Sequence, residues 1–423
     1  MFDESQNEDR DESSSLRDTN VDSNVDSNVD SNVDSNVDSN VEIHSSNIDE
    51  INNGERSEYL KAIRHLDKLL TFNPSDPTTY FDKGFILEIL EKFEEAIKCF
   101  DDALKIKPNY FQALYRKGLA LSFLKRYGEA IKCFDDALKI KPNDINVLNN
   151  KGSTFNKMGL YEEASNAYEE SLKIKPNNIT ALNNKGVALV NMKKIHSALE
   201  YYDRALGVKP NDITALNNKG IALASLGRYD DAISYYDMAL GVKPNDITAL
   251  NNKGIALASL GRYDDAIFYY DAAISLNPNA SDIYFNKGIA LTNAGNHQEA
   301  IECYDKAISI KSDYLDAYYN KAISLSELCQ YDEAIRSYDE VLFRSYDYVY
   351  AYYGKGYSLD ALERYEEAIQ CYDEAIRIEP DYLHAYYRKA HNLEKLGKAS
   401  EADKCLKMAR NVESQKTKLT KSL

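Results

Sequence analysis

A 34-residue period runs through this chain and decides most of what it can fold into. Lys-Gly recurs as Lys83-Gly84, Lys117-Gly118, Lys151-Gly152, Lys185-Gly186, Lys219-Gly220, Lys253-Gly254 and Lys287-Gly288. Lys321-Ala322 keeps the beat, Lys355-Gly356 restores the glycine, and Lys389-Ala390 completes ten. With position 1 at Pro77, ten repeats follow without insertion: 77–110, 111–144, 145–178, 179–212, 213–246, 247–280, 281–314, 315–348, 349–382 and 383–416. Residues 205–233 and 239–267 are identical, which reads as a fresh duplication. A period of this length marks an array in which each unit buries its core against its neighbours.

Each repeat carries two helical patterns. In residues 213–246 the first helix is predicted from Thr214 to Leu226, stopping at Gly227. The second begins near Tyr229, and Tyr229, Ala232, Ile233, Tyr236, Ala239 and Leu240 form one helical stripe. Pro244 prevents continuation. Strand patterns are absent. Position 8 is Gly in eight repeats and Ala at Ala322 and Ala390. A mid-helix Gly costs roughly 1 kcal/mol against Ala, so its repetition predicts a close approach of two helix backbones. Position 20 is Ala throughout, from Ala96 to Ala402, and position 24 is aromatic from Phe100 to Tyr372. Those rings are expected to fill the wedge beside the contact.

The charge sits mostly outside the array. Residues 1–50 hold 15 Asp and Glu against two Arg, a net of -13, which leaves -4 of the total -17 for residues 51–423. Residues 1–54 read as a disordered acidic tail, with VDSN five times in succession from Val21 to Asn40. Ser23 precedes Asp26 by three residues, a spacing that suits acidic-directed phosphorylation. A near-neutral array lacks the clustered basic face that nucleic acid requires. The start MFDESQNEDRDESSS has no apolar core and reads as no targeting signal. No apolar run approaches a membrane span. A cytoplasmic location is expected, since six Cys in such a chain make no disulfide framework. Residues 55–76 align with a second helix alone, as a capping helix or a partial repeat, and residues 417–423 form a short basic tail.

Leu or Tyr at position 4, Gly or Ala at 8, Tyr at 17, Ala at 20, Tyr or Phe at 24, Ala at 27 and Pro at 32 resemble the tetratricopeptide repeat. The resemblance covers residues 77–416. It implies an all-α fold, a right-handed superhelical solenoid of antiparallel helix pairs. It also implies a non-catalytic scaffold or adaptor whose first helices line a concave groove for an extended peptide or a partner protein. Two other readings are weaker. A chaperone-type adaptor of the family would carry Lys at position 5 and Asn at position 9, and no repeat here does. An RNA-binding helical repeat would need a basic groove. Self-association stays open. Repeat 8 departs from the pattern, with Val341 at position 27 and Tyr346 at position 32, and its junction is a candidate bend.

The candidate binding residues form rows. Position 6 is Asn150, Asn184, Asn218, Asn252, Asn286 and Asn320, and position 5 adds Asn149, Asn183, Asn217 and Asn251. A side-chain amide donates and accepts at once, so a row of them suits the backbone of an extended chain. Position 9 adds Val187, Ile221, Ile255, Ile289 and Ile323 as apolar flanks. Position 7 is Lys throughout, and position 25 is acidic from Asp101 to Asp373. These predict an ion-pair ladder, with Lys219 against Asp237 of the same repeat.

No enzyme constellation emerges. Cys99, Cys133, Cys303, Cys371 and Cys405 share position 23 and read as packing residues, with Cys329 alone outside that register. His384 and His391 are two turns apart on one helix, too far to share a metal. No HExxH, P-loop or GxSxG motif occurs, so no catalytic residue, metal or cofactor is expected.

Overall fold

A computed structural model describes residues 53–420, and these form twenty-one helices with no strand among them. The described residues divide into two compact units, the first ending at Ala249 and the second beginning at Leu250. The first holds α1 (Asn53–Phe72), α2 (Pro77–Ile89), α3 (Phe93–Ile106), α4 (Phe111–Phe123), α5 (Tyr127–Ile140), α6 (Ile145–Lys157), α7 (Tyr161–Ile174), α8 (Ile179–Asn191), α9 (Ile195–Val208), α10 (Ile213–Ala224) and α11 (Tyr229–Val242). Helix α12 (Ile247–Ser259) carries the division. The second unit continues with α13 (Tyr263–Leu276), α14 (Ser281–Asn293), α15 (His297–Ile310), α16 (Leu315–Glu327), α17 (Tyr331–Arg344), α18 (Val349–Ala361), α19 (Tyr365–Ile378), α20 (Leu383–Lys395) and α21 (Ala399–Thr420). Within each unit the two helices of a repeat pack together, and the second also packs on the first helix of the next repeat.

Two predicted boundaries move. Helix α1 already begins at Asn53, inside the segment read as tail; the rest of that segment, up to residue 52, lies outside the described residues. Helix α21 runs on to Thr420, so residues 417–420, read as tail, are helical. Helix α1 stands to α2 as each second helix stands to its successor. Ile63 packs on the cluster of Leu87, Ala96, Cys99 and Phe100, and Asp67 pairs with Lys83 at 2.6 Å. The junction of repeats 8 and 9 keeps the usual spacing, with Val341 fully buried.

The link inside each repeat is a Schellman turn. In repeat 5 the Gly227 N–H donates to Ala224 O and the Arg228 N–H to Leu223 O, at 2.9 and 3.0 Å. Position 15 therefore takes positive φ in every repeat: Gly at 159, 227, 261, 295 and 397, but Glu91, Lys125, Lys193, Cys329 and Glu363 elsewhere. This turn explains why Cys329 stands outside the cysteine register. A side chain in the left-handed region costs roughly 1–2 kcal/mol. Lys125→Gly is expected to raise stability by about 1 kcal/mol, seen as a higher Tm; an unchanged or lower Tm counts against strain at this turn.

The reason for Gly at position 8 differs from the expectation. A Cβ at Gly220 would lie 2.4 Å from Tyr236 Cε1, and one at Gly84 would lie 2.6 Å from Phe100 Cε1. The close neighbour is the position-24 ring of the same repeat, not a second backbone. These rings are fully buried, as are the position-20 alanines beside them. Repeat 8 breaks the rule with Ala322, and Tyr338 is displaced accordingly. Its ring lies where a Cβ at Gly354, in the next repeat, would meet it at 2.4 Å. Gly354 thus replaces the position-6 Asn for steric reasons.

Candidate binding face on the first helices

The first helices begin at a polar cap that also organises the Asn rows. Asp212 accepts from the Ala215 N–H at 3.0 Å and so caps α10. It also accepts from Asn183 Nδ2, position 5 of its own repeat, at 3.2 Å. Asp246 repeats the arrangement with Ala249 N–H at 3.0 Å and Asn217 Nδ2 at 3.1 Å. Position-5 Asn therefore donates to the last residue of its own repeat, which caps the first helix of the next. Its own Oδ1 receives nothing in return. Asn149, Asn183 and Asn217 each have a buried Oδ1 with no donor in the protein. Three consecutive repeats bury the same unfilled acceptor.

The position-6 row is bonded into the array. Asn150 Nδ2 donates to Tyr115 Oη and to its own helix at Asn146 O, both at 2.9 Å. In the second unit Asn286 Nδ2 donates to Asn251 Oδ1 at 3.1 Å, and Asn320 Nδ2 to Asp316 O at 2.8 Å. Asn184 hydrogen-bonds the buried Tyr168. Asn184, Asn218, Asn252, Asn286 and Asn320 are 2–7% exposed, and Asn252 Nδ2 is buried without an acceptor. Helices α8 and α10 are buried on every face from Ala181 to Val190 and from Ala215 to Ala224.

The aliphatic row divides between the units. Val187 and Ile221 share one buried cluster with Leu189, Val190 and Tyr202. Ile255, Ile289 and Ile323 are only half-buried, Ile289 beside Phe285 and Ile323 beside Tyr319.

The lysine ladder exists, but one repeat out of step with the expectation. Lys219 pairs with Asp203 of the preceding repeat, not with Asp237. In the first unit Lys117–Asp101 and Lys151–Asp135 follow suit at 2.6 and 2.7 Å, with Lys185–Glu169. In the second unit come Lys287–Asp271 and Lys355–Asp339 at 2.6 Å, with Lys321–Asp305 and Lys389–Asp373. Position 7 faces the preceding second helix, so each pair fastens two repeats. The Lys185 hydrogen bond holds the Glu169 carboxyl below its usual range against desolvation. Each acid is largely exposed, so a pair contributes only about 0–1 kcal/mol.

Two charged brackets escaped the sequence reading. Glu88, at position 12, faces Arg116 at position 6 of the next repeat at 3.5 Å, and Arg116 lies over the Phe85 ring. Asp360 faces Arg388 at 3.8 Å, and Arg388 lies over Tyr357. Acid and Arg are 28 residues apart in both, the signal that would have found them. Burial pushes the Glu88 carboxyl up to about 6 despite Arg116.

The remaining candidates are packing residues. The position-23 cysteines are buried free thiols, and burial pushes Cys133, Cys303 and Cys371 up to about 11. His384 stacks edge-on with Tyr353 and Tyr382. Among the described residues no group of three His, Cys, Asp or Glu could hold a metal ion, and no helix is long and apolar enough to cross a membrane.

Sequence models described as tetratricopeptide repeat match residues 77–110, 111–144, 179–212, 211–279, 251–314, 349–382 and 383–409, and one described as TPR repeat matches 152–193. No relative among curated proteins matches the sequence. Similar solved structures include the APC/C hetero-tetramer Cut9-Hcn1, at 15% identity over 79% of this chain and 83% of that one, with a TM-score of 0.49. Yeast Tom70 is similar at 15% identity over 90% and 97%, with a TM-score of 0.44. YrrB, described as a TPR protein with an unusual peptide-binding site, is similar at 24% identity over 45% and 98%, with a TM-score of 0.36.

Proposed function

Because the chain belongs to the tetratricopeptide repeat family, a fold of protein-interaction scaffolds in general, we propose that it is a non-catalytic scaffold holding an extended segment of a protein partner along its first helices. The row of unfilled acceptors at Asn149, Asn183 and Asn217, shut off from solvent in the free chain, carries this reading, which requires the side chains that cover them to part as the partner enters. A buried acceptor without a donor costs roughly 1–3 kcal/mol, and a peptide N–H brought to each oxygen removes that cost. An extended backbone supplies such donors at regular intervals whatever its side chains. Asn150 and Asn184 hold helices that carry the row, and Val187 and Ile221 pack the face behind it. In the second unit Asn252 Nδ2 offers an unfilled donor, with Asn286 and Asn320 fastened beside it. The half-buried Ile255, Ile289 and Ile323 there offer apolar contact. A charge of only -4 over residues 51–423 favours protein over nucleic acid, and free thiols suit a reducing cytoplasm.

Affinity capture from source lysate tests the reading, with the intact chain compared with Asn149→Ala/Asn183→Ala/Asn217→Ala. The variant should recover its partner at least tenfold less while keeping its helical circular dichroism. Equal recovery by both would remove the acceptor row from the binding face.

A further inference from the structure

The repeats differ in what covers the position-7 lysine. In repeats 4, 5 and 6 position 23 is Tyr201, Tyr235 or Tyr269. Their ring centroids lie 4.6, 4.3 and 4.1 Å from Nζ of Lys185, Lys219 and Lys253. Lys219 and Lys253 also donate to the phenol oxygens at 2.6 and 2.7 Å. Under these rings the Lys185 and Lys219 side chains are only 9% and 11% exposed.

Repeats 1 to 3 and 7 to 10 all lack the ring, and their position-7 lysines are about equally exposed; in repeat 8 a cleft accompanies the missing ring. Ser337 stands at position 23, and the Lys321 side chain is 23% exposed. A cleft of about 620 Å³ opens there, walled by Lys321, Ser337, Ile301, Tyr318 and Leu325, with Arg336 and Glu340 among its lining residues. Its charges already have partners: Lys321 with Asp305, Arg336 with Glu333, and Lys355 with the lining residue Asp339. The cleft therefore suits a neutral, largely apolar group that accepts one hydrogen bond from a cation, rather than an ion. A second feature marks the same face of α17. Arg336, Glu340 and Phe343 follow at i, i+4 and i+7, so Phe343, 86% exposed, prolongs the rim. Position 29 is otherwise Lys, Gly, Ser, Arg or Asn.

We propose that this cleft is a docking site for a tyrosine side chain of a partner protein, seated over Lys321 as Tyr235 is seated over Lys219. The phenol oxygen accepts from Nζ, which sits beside the hydroxyl end of the ring as Lys219 does beside Tyr235, and the ring edges meet Ile301 and Leu325. The partner's backbone then passes Phe343. The site uses none of the Asn rows, so it stands or falls apart from the binding face described above.

N-acetyl-tyrosinamide, titrated into the full chain and followed by amide shifts of Lys321, Leu325 and Ser337, tests it. Saturable binding is expected, with N-acetyl-leucinamide at least tenfold weaker. Ser337→Tyr, a residue that repeats 4 to 6 accommodate, should fill the cleft and weaken the probe at least tenfold. Lys321→Met should also weaken it and serves if the tyrosine variant fails to fold. Absence of shifts in the parent chain, equal binding of the leucine probe, or unchanged binding by either folded variant overturns the proposal.

Discussion

Gly354→Asn should destabilise the second compact unit by about 1–3 kcal/mol, and adding Ala322→Gly should restore most of the loss. Asn is what the preceding six repeats carry at this position, so a reading by consensus expects the substitution to be harmless. The packing says otherwise. In repeat 7 the Tyr304 ring lies against Gly288, where a Cβ would be 2.5 Å from Cε1. In repeat 8 that place holds the Cβ of Ala322, and the Tyr338 ring instead lies against Gly354, where a Cβ would meet Cζ at 2.4 Å. An asparagine side chain introduced there would drive the ring back onto Ala322. Removing the Ala322 methyl reopens the slot that Tyr304 occupies over Gly288, and the introduced asparagine then fits. Alone, Ala322→Gly should cost about 1 kcal/mol through helix propensity. Denaturant unfolding of the single and double variants gives the coupling. Additive effects would mean that the two sites do not share the ring.

The same two residues show what the sequence could and could not reveal. The period, the two helices per repeat and the recurring spacing of small and aromatic residues are local patterns, and the helices follow them closely. Which partner a residue meets is a different matter, because every candidate recurs each 34 residues. Lys219 is 18 residues before Asp237 and 16 after Asp203, and periodicity cannot rank the two. Only the packing of α10 against α9 selects Asp203. Gly220 likewise gave a correct signal of crowding, but the crowding atom, Tyr236 Cε1, depends on how the two helices meet. For the Asn rows the residue types were legible and the burial was not. That Asn218 is 2% exposed follows from α10 being enclosed on every face, which no amphipathic pattern announces. Nor did sequence spacing show that the position-5 amides spend Nδ2 on the next repeat's cap and leave Oδ1 unfilled.

Glu88 should make the N-terminal repeats lose stability as pH rises, by up to about 2 kcal/mol between pH 4 and 7. Its carboxyl is raised to about 6 from an ordinary 4.5, chiefly by desolvation, with Arg116 opposing. Between these values the folded chain keeps a proton that the unfolded chain has released. The folded state therefore binds more protons, and stability falls as pH rises through this window, then levels off above it. Glu88→Gln removes the titration and keeps a polar group beside Arg116. The variant should be about 2 kcal/mol more stable at pH 7 than at pH 4, relative to the parent chain. Native-state hydrogen exchange of α2 and α4 reads this locally, since carboxylates such as Glu169, whose values are lowered, push global stability the opposite way. A variant-to-parent difference that stays constant across the window would show that Glu88 carries no burial penalty. The position keeps its acid because Arg116 needs a partner: its guanidinium lies over the Phe85 ring with Glu88 at 3.5 Å, and Arg388 repeats the arrangement over Tyr357 with Asp360 at 3.8 Å. In each, an acid at position 12 accepts its own desolvation to keep the next repeat's arginine paired on an aromatic face.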